Sequence, residues 1–109
     1  MHELAICQSV VDAVLDRTGD ARVTELRLDV GRLSGVVPDA LRFCFELVTE
    51  GTPMAGAELR IEEPAGRAHC RGCGADFALD DLILLCPCGS ADVAVTAGRD
   101  LLVRSVEVV

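Results

Sequence analysis

Apolar residues recur at three- and four-residue steps in two segments of the chain, which predicts two amphipathic helices. The first helix is predicted over residues 3–18, because Gly19 suits the position just after a helix. Its predicted buried stripe consists of Leu4, Cys7, Val10, Val11, Val14 and Leu15. The second helix is predicted to begin at Pro38, a residue favoured in a first helical turn, and to end before Gly51. Its stripe consists of Leu41, Cys44, Phe45 and Val48.

Alternation of side chains between two faces predicts strands elsewhere in the chain. Residues 22–31 alternate strictly, with Thr24, Leu26, Leu28 and Val30 on one face and Glu25, Arg27 and Asp29 on the other. A second strand is predicted over residues 57–63, with Leu59 and Ile61 on one face. The last strand is predicted over residues 101–109, with Leu102, Val106 and Val108 on one side.

The order of these elements predicts an α+β fold, in which two helices pack on a small, about three-stranded sheet. Residues 65–98 interrupt this order with four cysteines and little periodic apolar pattern, apart from a short strand near Val93 and Val95. The final strand has no other sheet to join. We therefore predict that residues 1–64 plus 99–109 form one α+β domain and that residues 65–98 are an inserted lobe.

Composition limits the classes of function. The chain has 109 residues, of which 50% are hydrophobic, and its formal net charge is −8. An acidic chain lacks the positive surface that releases counterions from nucleic acid. Such a surface favours cations and basic partner proteins, or serves solubility alone. We find neither a signal peptide nor an apolar run that could span a membrane, so we expect a cytoplasmic protein with reduced thiols.

Four of the six cysteines form two close pairs, Cys70 with Cys73 and Cys86 with Cys88. Two such pairs joined by a short connector are typical of a tetrahedral zinc site. A disulfide or redox pair is the alternative. We favour a structural zinc, because four thiolates leave no open coordination position for a substrate. The other two cysteines lie on the helical stripes and are predicted to be core residues.

The second cysteine pair is unusually short, since it encloses only Pro87. A pair with one intervening residue has a tighter bite, so the Cys88 sulfur is the least certain of the four ligands. His69 directly precedes Cys70 and offers an imidazole as a substitute. The sequence leaves this choice open.

The first three residues could chelate a second metal. The terminal amine of Met1, the amide and imidazole nitrogens of His2, and the amide nitrogen of Glu3 can form a plane of four donors. Square-planar nitrogen donors suit Ni(II) and Cu(II). A histidine at the second position is by itself a weak signal, because most such histidines are simply solvated.

Several segments together resemble a known family. Met1-His2-Glu3 leads into a helix containing Cys7-Gln8, and residues 43–48 read Phe-Cys-Phe-Glu-Leu-Val. The lobe contains Cys86-Pro87 followed by Cys88-Gly89-Ser90, and residues 98–101 and 105–108 close the chain. In this order and at this length, the segments resemble the hydrogenase nickel-incorporation proteins HypA and HybF. The family usually has two residues inside the second cysteine pair, and this chain has one.

The resemblance implies a nickel metallochaperone that has no turnover of its own. It implies Ni(II) bound at His2 with Glu3 beside it, and zinc held by the cysteines that correspond to Cys70, Cys73, Cys86 and Cys88. It implies as partners the GTPase HypB and the large subunit of [NiFe] hydrogenase, and for some members the urease maturation proteins.

Two other classes of function were weighed. The first is a zinc-ribbon module that binds a protein or a nucleic acid and has no nickel function. Nucleic-acid binding needs a basic face and stacking aromatic residues, whereas the lobe offers only Arg67, Arg71 and Phe77. A zinc hydrolase needs an exchangeable water on the metal, and a thiol oxidoreductase needs a strand, CxxC and helix in sequence. Neither requirement is met, so both classes rank below the metallochaperone.

Overall fold

The computed structural model describes residues 2–109 as two helices and six strands. The helices are α1 (His2–Thr18) and α2 (Pro38–Thr49). The strands are β1 (Val23–Val30), β2 (Glu58–Glu62), β3 (Gly66–Cys70), β4 (Asp76–Leu79), β5 (Val93–Ala97) and β6 (Leu101–Val108). One three-stranded sheet has the order β2-β1-β6, with β1 parallel to β2 and antiparallel to β6. The predicted fold class, two helices with a small sheet and a four-cysteine lobe, is confirmed.

The main core lies between the two helices and the central strand β1. It combines the buried stripes of both helices with the apolar face of the sheet. Its members include Cys7, Val11 and Val14 from α1, Leu41 and Phe45 from α2, and Leu26, Leu28 and Val30 from β1. Burial of these aliphatic side chains is the main source of stability for a domain that has so few aromatic residues.

The first turn of α1 departs from the predicted stripe. Leu4 was predicted to be buried, but its side chain is 49% exposed, whereas Glu3 is only 6% exposed. The Glu3 carboxylate accepts a hydrogen bond from the Val37 backbone N–H at 3.1 Å. This contact between residues distant in sequence turns Glu3 inward, and periodicity cannot reveal it.

Irregularities in the pairing of β1 with β6 change which of their side chains face the core. A register shift between Val23 and Glu25 leaves Thr24 exposed, although Thr24 was predicted to face the core. A second register shift lies opposite Arg27 and Leu28 and leaves one residue of β6 without a partner on β1. Of the residues predicted on the inner side of β6, Val106 packs on the core, while Leu102 and Val108 are each 50% exposed. An extra residue on one strand reverses the alternation beyond it, which explains the exposure of Thr24 and Leu102. Val108 pairs with the buried Val23 and is exposed at the end of β6.

The lobe contains a second three-stranded sheet, with the order β4-β3-β5. The sequence predicted only a strand near Val93 and Val95, and β3 and β4 were missed. Both are short, with five and four residues, and β3 carries no large aliphatic side chain. The buried cluster of the lobe comprises only Leu33, Ala68 and Leu79, with a few half-buried neighbours.

Residues 31–33 join the two sheets. The Gly31 N–H donates to the Asp100 carbonyl at 2.9 Å and the Leu33 N–H donates to the Gly98 carbonyl at 2.8 Å. The Leu33 side chain leaves the main domain and packs in the lobe cluster. Gly98 has φ +98°, and a Cβ there would lie 2.5 Å from the Gly66 Cα. Only glycine fits at this close approach of two chain segments.

The buried and exposed leucines of the main domain give a matched test of this core. Leu26→Ala is expected to lower the free energy of unfolding by about 2–5 kcal/mol, because Leu26 is fully buried. Leu47 is 52% exposed, so Leu47→Ala is expected to change the same quantity by less than about 0.5 kcal/mol. Urea unfolding of the zinc-loaded protein, followed by far-ultraviolet circular dichroism, measures both values. Equal losses for the two variants would contradict the described core.

Candidate metal centres

Four cysteine sulfurs converge at one end of the lobe. Cys70 is the last residue of β3, Cys73 lies in the turn before β4, and Cys86 and Cys88 lie in the loop before β5. The four Sγ atoms all lie within 4.8 Å of one another. The Cys70–Cys88 and Cys73–Cys86 Sγ pairs are 3.8 and 3.6 Å apart. A tetrahedron with Zn–S bonds of 2.3 Å has edges of about 3.8 Å, so the cluster fits zinc.

Each cysteine pair lies in a turn closed by backbone hydrogen bonds. In the first turn, the Cys73 N–H donates to the Cys70 Sγ at 3.4 Å, and the Gly74 N–H donates to the Cys70 carbonyl at 2.8 Å. The amide directed at sulfur stabilises the thiolate form that binds metal. Gly74 has φ +78°, a conformation that favours glycine.

The second turn repeats this arrangement with one residue fewer. The Cys88 N–H lies 3.5 Å from the Cys86 Sγ, and the Gly89 N–H donates to the Cys86 carbonyl at 2.8 Å. Gly89 has φ +96°. The shortened pair therefore keeps an amide directed at its first sulfur and a glycine at its end, and the Cys88 sulfur still reaches the cluster.

Two residues that the sequence analysis missed hold the turns together. Arg71, inside the first turn, forms a 2.7 Å ion pair with Asp92, and its N–H donates to the Asp92 carbonyl at 2.9 Å. The Cys86 N–H donates to the Ser90 carbonyl at 2.9 Å. Nothing in the spacing of Arg71 and Asp92 marks them as partners, because the contact depends on how the strands pair.

The thiols of the cluster differ in acidity when no metal is bound. The Cys73 N–H, donating to the Cys70 sulfur, lowers the pKa of Cys70 to about 6. Although the Cys88 N–H favours the Cys86 thiolate, burial and the neighbouring thiols prevail and raise the pKa of Cys86 to about 12. A zinc ion would deprotonate all of its thiol ligands. Metal uptake should therefore release protons.

His69 lies outside the sulfur cluster. Its Nδ1 atom is 2.8 Å from the Asp76 carboxylate, and the two residues are cross-strand partners between β3 and β4. Adjacent residues of a strand point to opposite faces, so His69 and Cys70 diverge. The alternative in which His69 replaces a sulfur finds no support in this arrangement, because all four sulfurs already lie within 4.8 Å of one another.

The first three residues are only partly described, since Met1 lies outside the described residues. The His2 imidazole is 60% exposed, and its Nε2 atom lies 3.7 Å from the Glu3 carboxylate. The hydrogen bond from the Val37 N–H lowers the pKa of Glu3 to about 2. Glu3 is therefore an anion beside an accessible imidazole.

Val37, the residue before α2, is a second feature that the sequence analysis missed. Its own side chain caps nothing, and its N–H is bound by Glu3 from the first turn of α1. One carboxylate thus connects the beginnings of both helices, where negative charge is favoured by the helix dipole. Capping motifs within one helix are recognisable from the sequence, but a cap supplied by another helix is not.

The remaining cysteines belong to the core, as predicted. Cys7 is 2% exposed, and Cys44 packs against the same cluster. Burial, with a smaller effect of the Cys44 thiol, raises the pKa of Cys7 to about 11. A buried thiol that stays protonated is a poor nucleophile and metal ligand.

No helix within residues 2–109 is long and apolar enough to cross a membrane.

Comparison with known proteins identifies the family. A family model described as "Hydrogenase/urease nickel incorporation, metallochaperone, hypA" matches residues 1–108. The hydrogenase maturation factor HypA of Geotalea uraniireducens is 47% identical over 109 residues, covering 99% of each chain. That of a Nostoc species is 41% identical over 108 residues, covering 99% of this chain and 96% of the relative.

The fold has solved counterparts. The solution structure of the Ni metallochaperone HypA from Helicobacter pylori superposes with a TM-score of 0.68 at 21% identity, covering 99% of this chain and 97% of that one. At this identity the likeness concerns the fold alone. The family model and the sequence relatives show the family as well as the fold, because their matches span nearly the whole chain. The chain therefore belongs to the HypA family of nickel-incorporation metallochaperones, and it is a maturation factor rather than an enzyme.

Proposed function

We propose that this protein binds one Ni(II) ion through its first three residues and delivers it to the large subunit of [NiFe] hydrogenase. Membership of the nickel-incorporation family carries this proposal, together with the exposed imidazole of His2 beside the anionic Glu3. The nickel is cargo, so its site must be strong enough to hold the ion and open enough to release it.

The donors of this site would be the Met1 terminal amine, the His2 imidazole, and the amide nitrogens of His2 and Glu3. The first four amides of a helix have no carbonyl partner within the helix. Metal binding by the amides of His2 and Glu3 would therefore break no hydrogen bond between backbone groups of α1. We assign Glu3 a role beside the ion through its amide nitrogen, while its carboxylate is oriented by the hydrogen bond from the Val37 N–H.

The role proposed for the four-cysteine cluster is structural. Zinc held by Cys70, Cys73, Cys86 and Cys88 would have no open position for a substrate or for nickel. The small buried cluster of the lobe supports this role, because three buried side chains contribute little stability on their own. We assign residues 65–98 to the zinc lobe, and residues 1–64 with 99–109 to the nickel-binding domain.

Interaction with the hydrogenase maturation machinery follows from the family. The proposed individual partners are the GTPase HypB and the hydrogenase large subunit, with urease maturation proteins as a further set. The proposed compartment is the cytoplasm, where reduced thiols remain available to zinc.

Nickel transfer to an acceptor tests this function. The nickel-loaded protein is incubated with the metal-free large subunit and a chelator that removes free nickel. We expect nickel to appear in the large subunit only when the loaded protein is present, because direct transfer avoids the free ion. His69→Ala, which alters a histidine outside both centres, should transfer equally well. Equal transfer from free nickel at the same chelator concentration would contradict delivery by this protein.

A further inference from the structure

The four sulfurs of the cysteine cluster are not held equally. Cys70 and Cys86, the first residue of each pair, are buried, whereas Cys73 and Cys88 are exposed. Each of the two buried sulfurs also lies near an N–H of its own turn, that of Cys73 at 3.4 Å and that of Cys88 at 3.5 Å. Cys88 is exposed and belongs to the shortened pair. The place of its sulfur in the cluster therefore depends most on the chain around it.

The chain that follows Cys88 is fastened to the first cysteine turn. The Asp92 carboxylate lies 2.7 Å from the Arg71 Nη1 atom, and the Asp92 carbonyl accepts the Arg71 backbone N–H at 2.9 Å. Ser90 packs against the same turn, since a Cβ at Gly72 would lie 3.3 Å from the Ser90 Oγ atom. These contacts hold residues 90–92 against the turn that begins at Cys70, whose Sγ atom is 3.8 Å from that of Cys88.

Hydrogen bonds after the second pair place Cys88 between two fixed points. The Ser90 carbonyl accepts the Cys86 N–H at 2.9 Å, and the Ser90 Oγ atom accepts the Asp92 N–H at 3.1 Å. The ring of Pro87 restricts the backbone on the other side of Cys88. A movement of Asp92 away from the first turn would therefore be passed through Ser90 to Cys88.

We propose, on the basis of the zinc site proposed above, that the Arg71–Asp92 ion pair keeps Cys88 on the metal and sets the rate at which the cluster releases zinc. When the ion pair opens, residues 88–92 loosen from the first turn and the Cys88 sulfur leaves first. Three sulfurs then hold the ion, and its fourth position is open to water or to a competing ligand. Arg71 and Asp92 are positioning residues, since neither is a ligand.

The exposure of the ion pair limits the size of this effect. The side chains of Arg71 and Asp92 are 57% and 64% exposed. Ion pairs at such positions contribute modestly and are weakened by salt. The backbone hydrogen bond between the two residues remains when either side chain is changed. We therefore expect a change of several-fold in the rate of zinc release, not a loss of the site.

The rate of zinc release to an excess of a chromophoric chelator tests this inference. Arg71→Gln and Asp92→Asn should each release zinc about three- to fivefold faster than the wild type at low salt. The difference should shrink in about 1 M salt, because salt accelerates release from the wild type and not from the variants. Arg67→Gln is the matched control, since it removes the same charge from β3 outside both turns, and it should release zinc at the wild-type rate.

Charge exchange separates the ion pair from other effects of these substitutions. Arg71→Asp alone should accelerate release more than Arg71→Gln, because two carboxylates then face each other. Arg71→Asp combined with Asp92→Arg reverses the pair and should restore slow release. Zinc content before the chelator is added shows that each variant is loaded.

The order of alkylation identifies the sulfur that leaves first. Iodoacetamide treatment of the zinc-loaded protein, followed by peptide mass mapping, should label Cys88 before the other three cysteines of the cluster. This labelling should be faster in Asp92→Asn.

Equal rates of zinc release from the wild type, Arg71→Gln and Asp92→Asn would overturn the proposal and leave the zinc site standing. First labelling at Cys73, or a charge exchange that releases zinc as fast as Arg71→Asp, would overturn it as well. A wild-type protein that binds no zinc would contradict the proposed zinc site itself, and the role of the ion pair with it.

Discussion

Replacement of Cys70 by serine is expected to abolish zinc binding and unfold the lobe over residues 65–98, leaving the main domain folded. Cys70 is fully buried at the end of β3, and its sulfur accepts the Cys73 N–H. Structural zinc sites contribute about 10–16 kcal/mol of apparent binding free energy, which then acts as folding free energy. Apart from its cysteines, the lobe has an apolar cluster of three buried side chains, Leu33, Ala68 and Leu79. This core is too small to replace that contribution.

Zinc content and amide chemical-shift dispersion measure this effect. We expect the zinc to fall from one ion per chain to none, with collapse of the β3, β4 and β5 signals and retention of those from α1 and β1. Cys44→Ser is the matched control, because Cys44 lies in the main domain and outside the cluster. A Cys70→Ser variant that retains zinc at wild-type affinity would contradict four-sulfur coordination.

Addition of the three residues Gly-Ser-Gly before Met1 is expected to reduce nickel affinity by at least about a hundredfold. A single added residue would still leave an amine, two amides and the imidazole in one plane, whereas three added residues place the terminal amine too far from the His2 ring for continuous fused chelate rings. Loss of two orders of magnitude corresponds to about 2.8 kcal/mol. The fold and the zinc site should be unchanged, because the addition projects from the exposed end of α1.

Nickel titration of the untagged protein and of this variant measures the change. The same three residues added after Val109 are the control, since they alter length and composition equally but leave the terminal amine in place. Equal affinity of the N-terminal variant and the control would place the nickel elsewhere.

Much of the fold could be predicted because its longest elements obey simple periodicity. The α2 stripe and the apolar positions of β1 at 26, 28 and 30 match the buried residues of the main core. The spacing of the cysteines likewise anticipated the cluster, because sulfur ligands in two tight turns need only a short connector. The shortened second pair also reaches the cluster, because each hydrogen bond of its turn spans one residue fewer than the corresponding bond of the first turn.

The features that could not be predicted depend on contacts between distant segments. The exposure of Thr24 and Leu102 follows from register shifts between β1 and β6, which no single strand encodes. The burial of Glu3 depends on the Val37 amide, 34 residues away. Strands β3 and β4 are too short to show a period, and they pair with each other on either side of the first cysteine turn.

The contact between Glu3 and Val37 indicates that Glu3 and His2, which the sequence analysis assigned to one nickel site, have different roles there. Glu3 connects the first turns of both helices through its carboxylate, whereas the His2 imidazole stays exposed. Loss of the Glu3 side chain would thus disturb the position of the site, while loss of the imidazole would remove a metal donor.

The most direct test of the central claim is metal analysis with nickel titration on the untagged protein and on His2→Ala. The account predicts one tightly held zinc in both proteins, and one added nickel in the wild type that is lost in the variant. Loss of nickel without loss of zinc would show that the two centres are separate and that His2 is a nickel donor. Nickel bound equally well by His2→Ala would contradict the N-terminal site and the delivery mechanism built on it.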